Sequence, residues 1–415
     1  MATVPHDVPP QASRLDVMNF LNEIAADYPR AISFASGRPE ETCFAVESWL
    51  ARIPDFARYY AEVRGIDVAT AFSALAQYGR TNGMVGDLIA IQLGRDEEIH
   101  CRGEQLVVTA GCQEAIELCV RSLCRGAGDV VLVRSPTYIG ITGVADLNGI
   151  ALEPFGDDDV DALPEALDAA VNALERAGRR ARVVYLIPEF DNPTGSVIPR
   201  ATRERLIAVC AARGIVVLED NPYGLFRYEG ERVPPMAALD TAGCVVYLGT
   251  YSKMLCPAVR VGFALVPQRL FGDAARAEAL RAQLSQLKSF ITVNTSQLMQ
   301  ALVGGVLLAE GGSLAAIVAP AREAYRRKRD EMLRCLAVAF AHHPEVHWNV
   351  PAGGFFMTLE LPFVFGAAEA EICARNYGVI VMPLAFFALD ARHDCHVRLA
   401  FSNVALEAIG EGIAR

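Results

Sequence analysis

The chain carries 38 basic residues, yet only three of them are lysines: Lys253, Lys288 and Lys328. Where arginine occupies nearly every basic position, a retained lysine calls for a chemical reason. What lysine offers and arginine does not is an amine that can lose its proton and form a Schiff base with a carbonyl carbon. Lys288, in the helical stretch 279–290, is expected to face solvent. So is Lys328, in the run Arg326-Arg327-Lys328-Arg329 beside Glu323, Asp330 and Glu331, which reads as a solvated helix face. Lys253 differs. It follows Gly249-Thr250-Tyr251-Ser252 and precedes Met254-Leu255-Cys256-Pro257, a turn-rich place with little helical amphipathicity. A nucleophilic amine is the reading there.

The elements that must position it are legible as apolar runs. Residues 129–133, 182–187, 215–219, 245–249 and 261–266 read as strands, with helical patterns over 163–177 and 202–212 between them. Runs apolar on both faces and separated by helices indicate a mostly parallel sheet buried on both sides, hence an α/β fold with a doubly wound large domain. Ligands bind such sheets beyond the carboxyl ends of the strands. Polar residues gather there: Ser135-Pro136-Thr137-Tyr138, Asp191-Asn192-Pro193-Thr194-Gly195, Asp220-Asn221-Pro222-Tyr223 and Thr250-Tyr251-Ser252-Lys253. Four such ends in succession describe one composite pocket. After about residue 290 the pattern changes to a long helix over 314–340, an alternating strand over 353–361, then helix and strand again. We therefore expect a large domain over 45–290 and a smaller α+β domain made of 1–44 with 291–415.

Composition narrows the function classes. A hydrophobic fraction of 52% allows a large core and excludes a disordered chain. The net charge of −11 argues against nucleic-acid binding, which needs concentrated basic surface. No apolar stretch is long enough to span a membrane, and the polar, proline-bearing N-terminus has no signal-peptide core. The eleven cysteines show neither C-x-x-C pairs nor metal-ligand spacing, so no metal site is expected. A cytoplasmic location follows as an expectation. A nicotinamide oxidoreductase is excluded, because Gly126-Ala127-Gly128 precedes its strand and lacks the third glycine.

In their order and spacing, these motifs resemble the class I/II aminotransferases, enzymes of fold type I that use pyridoxal 5′-phosphate (PLP). The resemblance is nearest to the branch of aminoadipate and kynurenine aminotransferases, and it runs from about Ile32 to Asn403. It implies a set of roles. Lys253 would hold PLP as a Schiff base. Asp220 would lie beneath the pyridine nitrogen, keeping it protonated, while Tyr223 and Asn192 would bond the phenolic oxygen. Arg260, with the helix start at Gly111, Cys112 and Gln113, would take the phosphate, helped by Thr250 and Ser252. Tyr138 would stack on the ring. Tyr78 would reach the phosphate of a neighbouring subunit, making a homodimer with shared active sites. Arg398 would grip the substrate carboxylate, and Gly37 and Arg38 would lie over the substrate. An amino acid and a 2-oxo acid are the implied substrates.

The sequence departs from the pattern at Cys112, where a hydroxyl or alanine is usual, and at Phe190, where a tyrosine or histidine often sits by the pocket. Arg38 is another departure, with either an acidic substrate side chain or solvent as its partner. A PLP enzyme of specialised metabolism, catalysing decarboxylation, elimination, cyclisation or oxidative deamination, stays open as an alternative. A PLP-sensing regulator would need a DNA-binding module in front of the first matched loop, and only about 30 residues precede it.

Overall fold

The computed structural model describes residues 23–415. The earlier ones, part of the expected small domain, lie outside the described residues. A short strand, β1 (Ile32–Ser33), stands apart from the seven that build the central sheet. These are β2 (Leu106–Thr109), β3 (Asp129–Val133), β4 (Ala151–Pro154), β5 (Arg180–Leu186), β6 (Val216–Asp220), β7 (Val245–Thr250) and β8 (Gly262–Leu265). Their order across the sheet is β2-β8-β7-β6-β5-β3-β4. Neighbours from β7 to β4 pair in parallel, whereas β8 runs antiparallel to both β7 and β2. Every residue of β3, β6 and β7 is buried, as helices on both faces require.

Two strands escaped the sequence reading. β2 is only four residues long, and β4 is a partly exposed edge strand without a clear apolar run. The single reversed strand matters for function. Because β8 begins where its neighbours end, Arg260, two residues before it, falls at the same sheet edge as Lys253.

Four further strands form a second sheet: β9 (His347–Trp348), β10 (Phe356–Glu360), β12 (Met382–Pro383) and β13 (His396–Ala400). β11 (Val379–Ile380) pairs in parallel with β1, which ties Ile32 and Ser33 to the C-terminal part of the chain. Helix α1 (Cys112–Leu123) and helix α2 (Arg200–Arg213) flank the central sheet. Helix α3 (Ala274–Ile291) is followed by α4 (Gln297–Ala309), which packs into the cluster of Leu88, Ile89 and Phe263. The division drawn at residue 290 therefore falls inside α3, and the helix after it still packs on the large-sheet side. The change of packing partner comes with α5 (Ala315–Ala339), whose Val318, Tyr325 and Met332 join Phe355 and Leu399.

The basic run on α5 divides between its two sides. Lys328 and Arg329 are buried while Arg327 is exposed. Lys328 pairs with Glu40 and donates to the Ser402 carbonyl at 3.1 Å; Arg329 pairs with Glu229. Neither faces solvent as expected, because the helical period carries 325, 328, 329 and 332 onto the packed face.

One buried charge holds the loop that carries Asn192. Arg203 of α2, 1% exposed, donates to the carbonyls of Ile198 at 2.8 Å, Pro188 at 2.9 Å and Pro234 at 2.9 Å, and pairs with buried Glu189. Replacing it strands Glu189 with only Arg227 as counter-ion. Arg203→Met is expected to lower stability by about 3–5 kcal/mol in urea or guanidinium unfolding. A loss under about 1 kcal/mol would show that the clamp contributes nothing.

Candidate functional site

A cavity of about 550 Å³ opens at the carboxyl edge of the central sheet, between it and the second sheet. Four strand ends and the middle of a fifth strand feed it. β7 delivers Thr250, Ser252 and Lys253; β6 delivers Asp220 and Tyr223; the turn after β5 delivers Asn192; the turn after β3 delivers Tyr138; mid-β13 delivers Arg398. Cys112 and Gln113 at the start of α1, Arg260 before β8, and Gly37 and Arg38 from the loop after β1 also line it. Gly111 borders it through Arg260. The structure thus brings every expected residue to one place except Tyr78, which is 79% exposed and lies outside this cavity.

Lys253 is half-buried, and its ammonium donates to the Gly37 carbonyl at 3.0 Å. Burial, joined by the charges of Arg398 and Arg260, pulls its pKa down to about 8, against the opposing pull of Asp220. A lysine so tuned is a nucleophile near neutral pH. Asp220 is buried at the end of β6. Burial pushes its carboxyl up to about 6, while hydrogen bonds and the Lys253 charge act the other way. Those bonds come from two directions: the Tyr185 hydroxyl donates to Oδ2 at 2.7 Å and the Cys112 thiol to Oδ1 at 3.2 Å.

The Cys112 side chain is engaged with the Asp220 carboxylate, a different use from the hydroxyl usual at this position of the phosphate turn. Tyr185 was missed altogether. In sequence it is one more apolar residue of a buried strand, and only the pairing of β5 with β6 sets its hydroxyl beside Asp220.

An anion cradle lies at one end of the cavity. Gly111, with φ +85°, caps α1, and a Cβ there would come within 2.2 Å of Arg260 Nη2. Arg260, itself at φ +46°, donates to the Ser252 hydroxyl at 3.3 Å and the Ala110 carbonyl at 3.1 Å. The Thr250 hydroxyl donates to Ser252 Oγ at 3.0 Å. The helix start, a guanidinium and two hydroxyls make a site for a phosphate. Arg260 is exposed and Gln113 is exposed, so this end stands open in the single chain.

The opposite end holds Arg398. Its guanidinium lies between the rings of Phe356 and Phe387, 4.4 and 4.6 Å from their centroids. It donates to Asn192 Oδ1 at 2.8 Å and to the Ala35 carbonyl at 2.6 Å, while buried Nε has no partner among the described residues. Burial lowers its pKa to about 10, which still leaves it a cation at neutral pH. Asn192 is aimed by its own turn. Gly195 N donates to the Asp191 carbonyl at 2.6 Å, and the Thr194 hydroxyl to Asp191 Oδ2 at 2.8 Å. Gly195, at φ +71°, leaves no room for a Cβ, which would sit 2.5 Å from the Phe356 carbonyl oxygen. Tyr223 is buried against Phe355 and Phe356, and burial pushes its phenol well above the usual range.

Phe190 and Arg38 stand differently to the pocket. Phe190 is fully buried, packed on Gly353 and Gly354 beneath Arg227, and does not line the cavity. Arg38 does line it, exposed, with no carboxylate paired to it among the described residues. These residues fit PLP on their own chemistry: an amine tuned to about 8, a phosphate cradle that any Cβ at 111 would fill, and a buried carboxylate suited to a ring cation.

Residues 30–415 match the family described as Aminotransferase class I and II. The chain is 39% identical over 398 residues to a (S)-3,5-dihydroxyphenylglycine transaminase of Amycolatopsis orientalis, covering 96% of this chain and 90% of that one. It is 32% identical to a 2-aminoadipate transaminase of Thermus thermophilus, covering 93% and 89%. Its fold matches that of a Pyrococcus horikoshii kynurenine aminotransferase, solved with pyridoxamine phosphate, with a TM-score of 0.82 at 26% identity over 99% and 95% of the two chains. Fold and site together define a PLP-dependent enzyme of fold type I. The chain belongs to the class I and II aminotransferases, and its activity is that of a PLP-dependent aminotransferase.

The depressed Lys253 pKa has a measurable consequence. The neutral, nucleophilic amine gains population as pH rises through about 8, not through the ordinary lysine range near 10.4. The rate of PLP uptake by the cofactor-free protein, followed by absorbance, is expected to reach half its maximum near pH 8 and to level off above about pH 9. A rate still climbing at pH 10 would contradict the tuning.

Proposed function

We propose that Lys253 is the residue that binds PLP covalently and moves the proton during transamination. When bound, PLP supplies an electron-accepting ring that makes the substrate Cα–H acidic. The chain's residues do the rest. Lys253 Nζ takes the Cα proton and returns it, a task suited to an amine with a pKa near 8. Asp220 presents a carboxylate to the ring nitrogen, with Tyr185 and Cys112 fixing its plane. Gly111, Gln113, Thr250, Ser252 and Arg260 take the phosphate, Tyr138 packs on the ring, and Asn192 and Tyr223 bond its oxygen. Arg398 holds the substrate α-carboxylate, and its unpaired Nε is the observation that supports this role. Alternating amino donor and acceptor in one site gives ping-pong kinetics.

Besides its polar groups the cavity is lined by Ile139, Ile380, Phe356 and Phe387, with Arg38 and Asn403 also in its lining. Those apolar walls support a donor with an aromatic or large apolar side chain, in keeping with the aryl substrate in the name of the Amycolatopsis relative.

We further take the working form to be a cytoplasmic homodimer. Tyr78, Phe290, Val293 and Leu298 are all exposed, and the phosphate end of the cavity is open. A second copy covering that surface would bring Tyr78 toward the partner's cradle, and sedimentation at the dimer's mass checks it.

The test is a half-reaction. Aromatic amino acids added alone to the PLP-loaded enzyme are expected to bleach its visible band, and a 2-oxo acid to restore it. A persistent long-wavelength band, or release of carbon dioxide, ammonia or peroxide, would favour the specialised-metabolism alternative. Arg398→Lys, which loses the two-pronged grip, is expected to cost about 2–5 kcal/mol in kcat/KM for α-carboxylate substrates. An unchanged value would remove Arg398 from the site.

A further inference from the structure

Lys288 was expected in solvent and is fully buried on α3, 0% exposed. Its ammonium donates to Glu114 Oε2 at 2.9 Å, to Glu114 Oε1 at 3.2 Å and to the Thr292 hydroxyl at 2.8 Å. Thr292 in turn donates to Glu114 Oε1 at 2.6 Å. Glu114 lies in the first turn of α1, three residues beyond Gly111, and its Oε2 accepts from the Ala110 amide at 2.5 Å. Both ions are buried, and each Glu114 oxygen accepts from Lys288 and from one further donor, Thr292 at Oε1 and the Ala110 amide at Oε2. Burial pulls the Lys288 pKa down, and Glu114 works against that pull.

The arrangement has two opposed effects on the anion cradle. The Ala110 amide, tied to Glu114, fixes the turn whose carbonyl also receives Arg260. Yet a carboxylate in the first turn of α1 puts a negative charge beside a helix start that would take a phosphate of nearly two negative charges. Unpaired, it would repel that phosphate through a poorly screening interior. Lys288 removes the conflict by cancelling the charge from the side away from the cavity, leaving Glu114 free to act as a hydrogen-bond acceptor.

We propose that the Lys288–Glu114 pair is the brace of the phosphate cradle: Lys288 is a positioning residue that neutralises Glu114 so that the Ala110–Gly111 turn can accept an anion. The proposal rests on the reading that this cradle takes the PLP phosphate. It requires that loss of Lys288 alone be worse for PLP than loss of both charges, since the double change removes the repelling carboxylate and Gln keeps the acceptor for Ala110.

The experiment is a PLP titration of the cofactor-free protein and its variants, read by visible absorbance, with circular dichroism and a thermal melt to establish folding. Lys288→Met is expected to raise the dissociation constant about tenfold or more, with the position of the bound-cofactor band unchanged. Glu114→Gln/Lys288→Met is expected to return to within about threefold of the parent. If Lys288→Met does not fold, the comparison passes to Glu114→Ala/Lys288→Met, which lacks the acceptor and is expected to bind PLP severalfold more weakly than Glu114→Gln/Lys288→Met. Parent-like affinity in folded Lys288→Met overturns the brace, as does a Gln/Met double variant no better than Lys288→Met or than the Ala/Met variant. A parent chain that takes up no PLP contradicts the function reading and this one with it.

Discussion

The site depends on an amine kept among charges that disagree about it. Arg398 and Arg260 press the Lys253 proton off and Asp220 holds it on, all within one cavity. Burial reinforces the arginines. In water the same four groups would interact weakly and lysine would stay protonated. The fold's task is to hold two cations, one carboxylate and one amine close together without letting them collapse into ion pairs.

It does so by giving each group other partners. Arg398 is fixed between two aromatic rings and tied to Asn192 and the Ala35 carbonyl. Arg260 leans on Ser252 and the Ala110 carbonyl. Asp220 is occupied by Tyr185 and Cys112. Among the described residues, Lys253 hydrogen-bonds only a backbone carbonyl. Groups restrained in this way need little reorganisation when an anionic substrate and a cofactor arrive. The central sheet makes the restraint possible, since Asp220 and Lys253 lie at and just beyond the ends of the fully buried strands β6 and β7.

Much of this was legible in the sequence, and the parts that were not share a cause. Strands β3, β5, β6 and β7 announce themselves because buried parallel strands need continuous apolar runs. Lys253 stands out because arginine cannot replace its amine. What stayed hidden depends on partners remote in sequence. Lys288 meets Glu114 across 174 positions, and Lys328 meets Glu40 across 288, so no local pattern marks either as buried. Tyr185 looks like any core residue until β6 is set beside it. Cys112 occupies a motif position associated with phosphate, yet its side chain follows the nearer acceptor. β8 reads correctly as a strand, but its direction is a property of the pairing and not of its residues.

The most direct test of the account uses the scarcity of lysine itself. The PLP-loaded protein would be reduced with borohydride, which makes the lysine–cofactor linkage permanent, then digested and its peptides weighed. The account predicts a single phosphopyridoxyl adduct, on the peptide containing Lys253. An adduct on Lys288 or Lys328, or none at all, would contradict it.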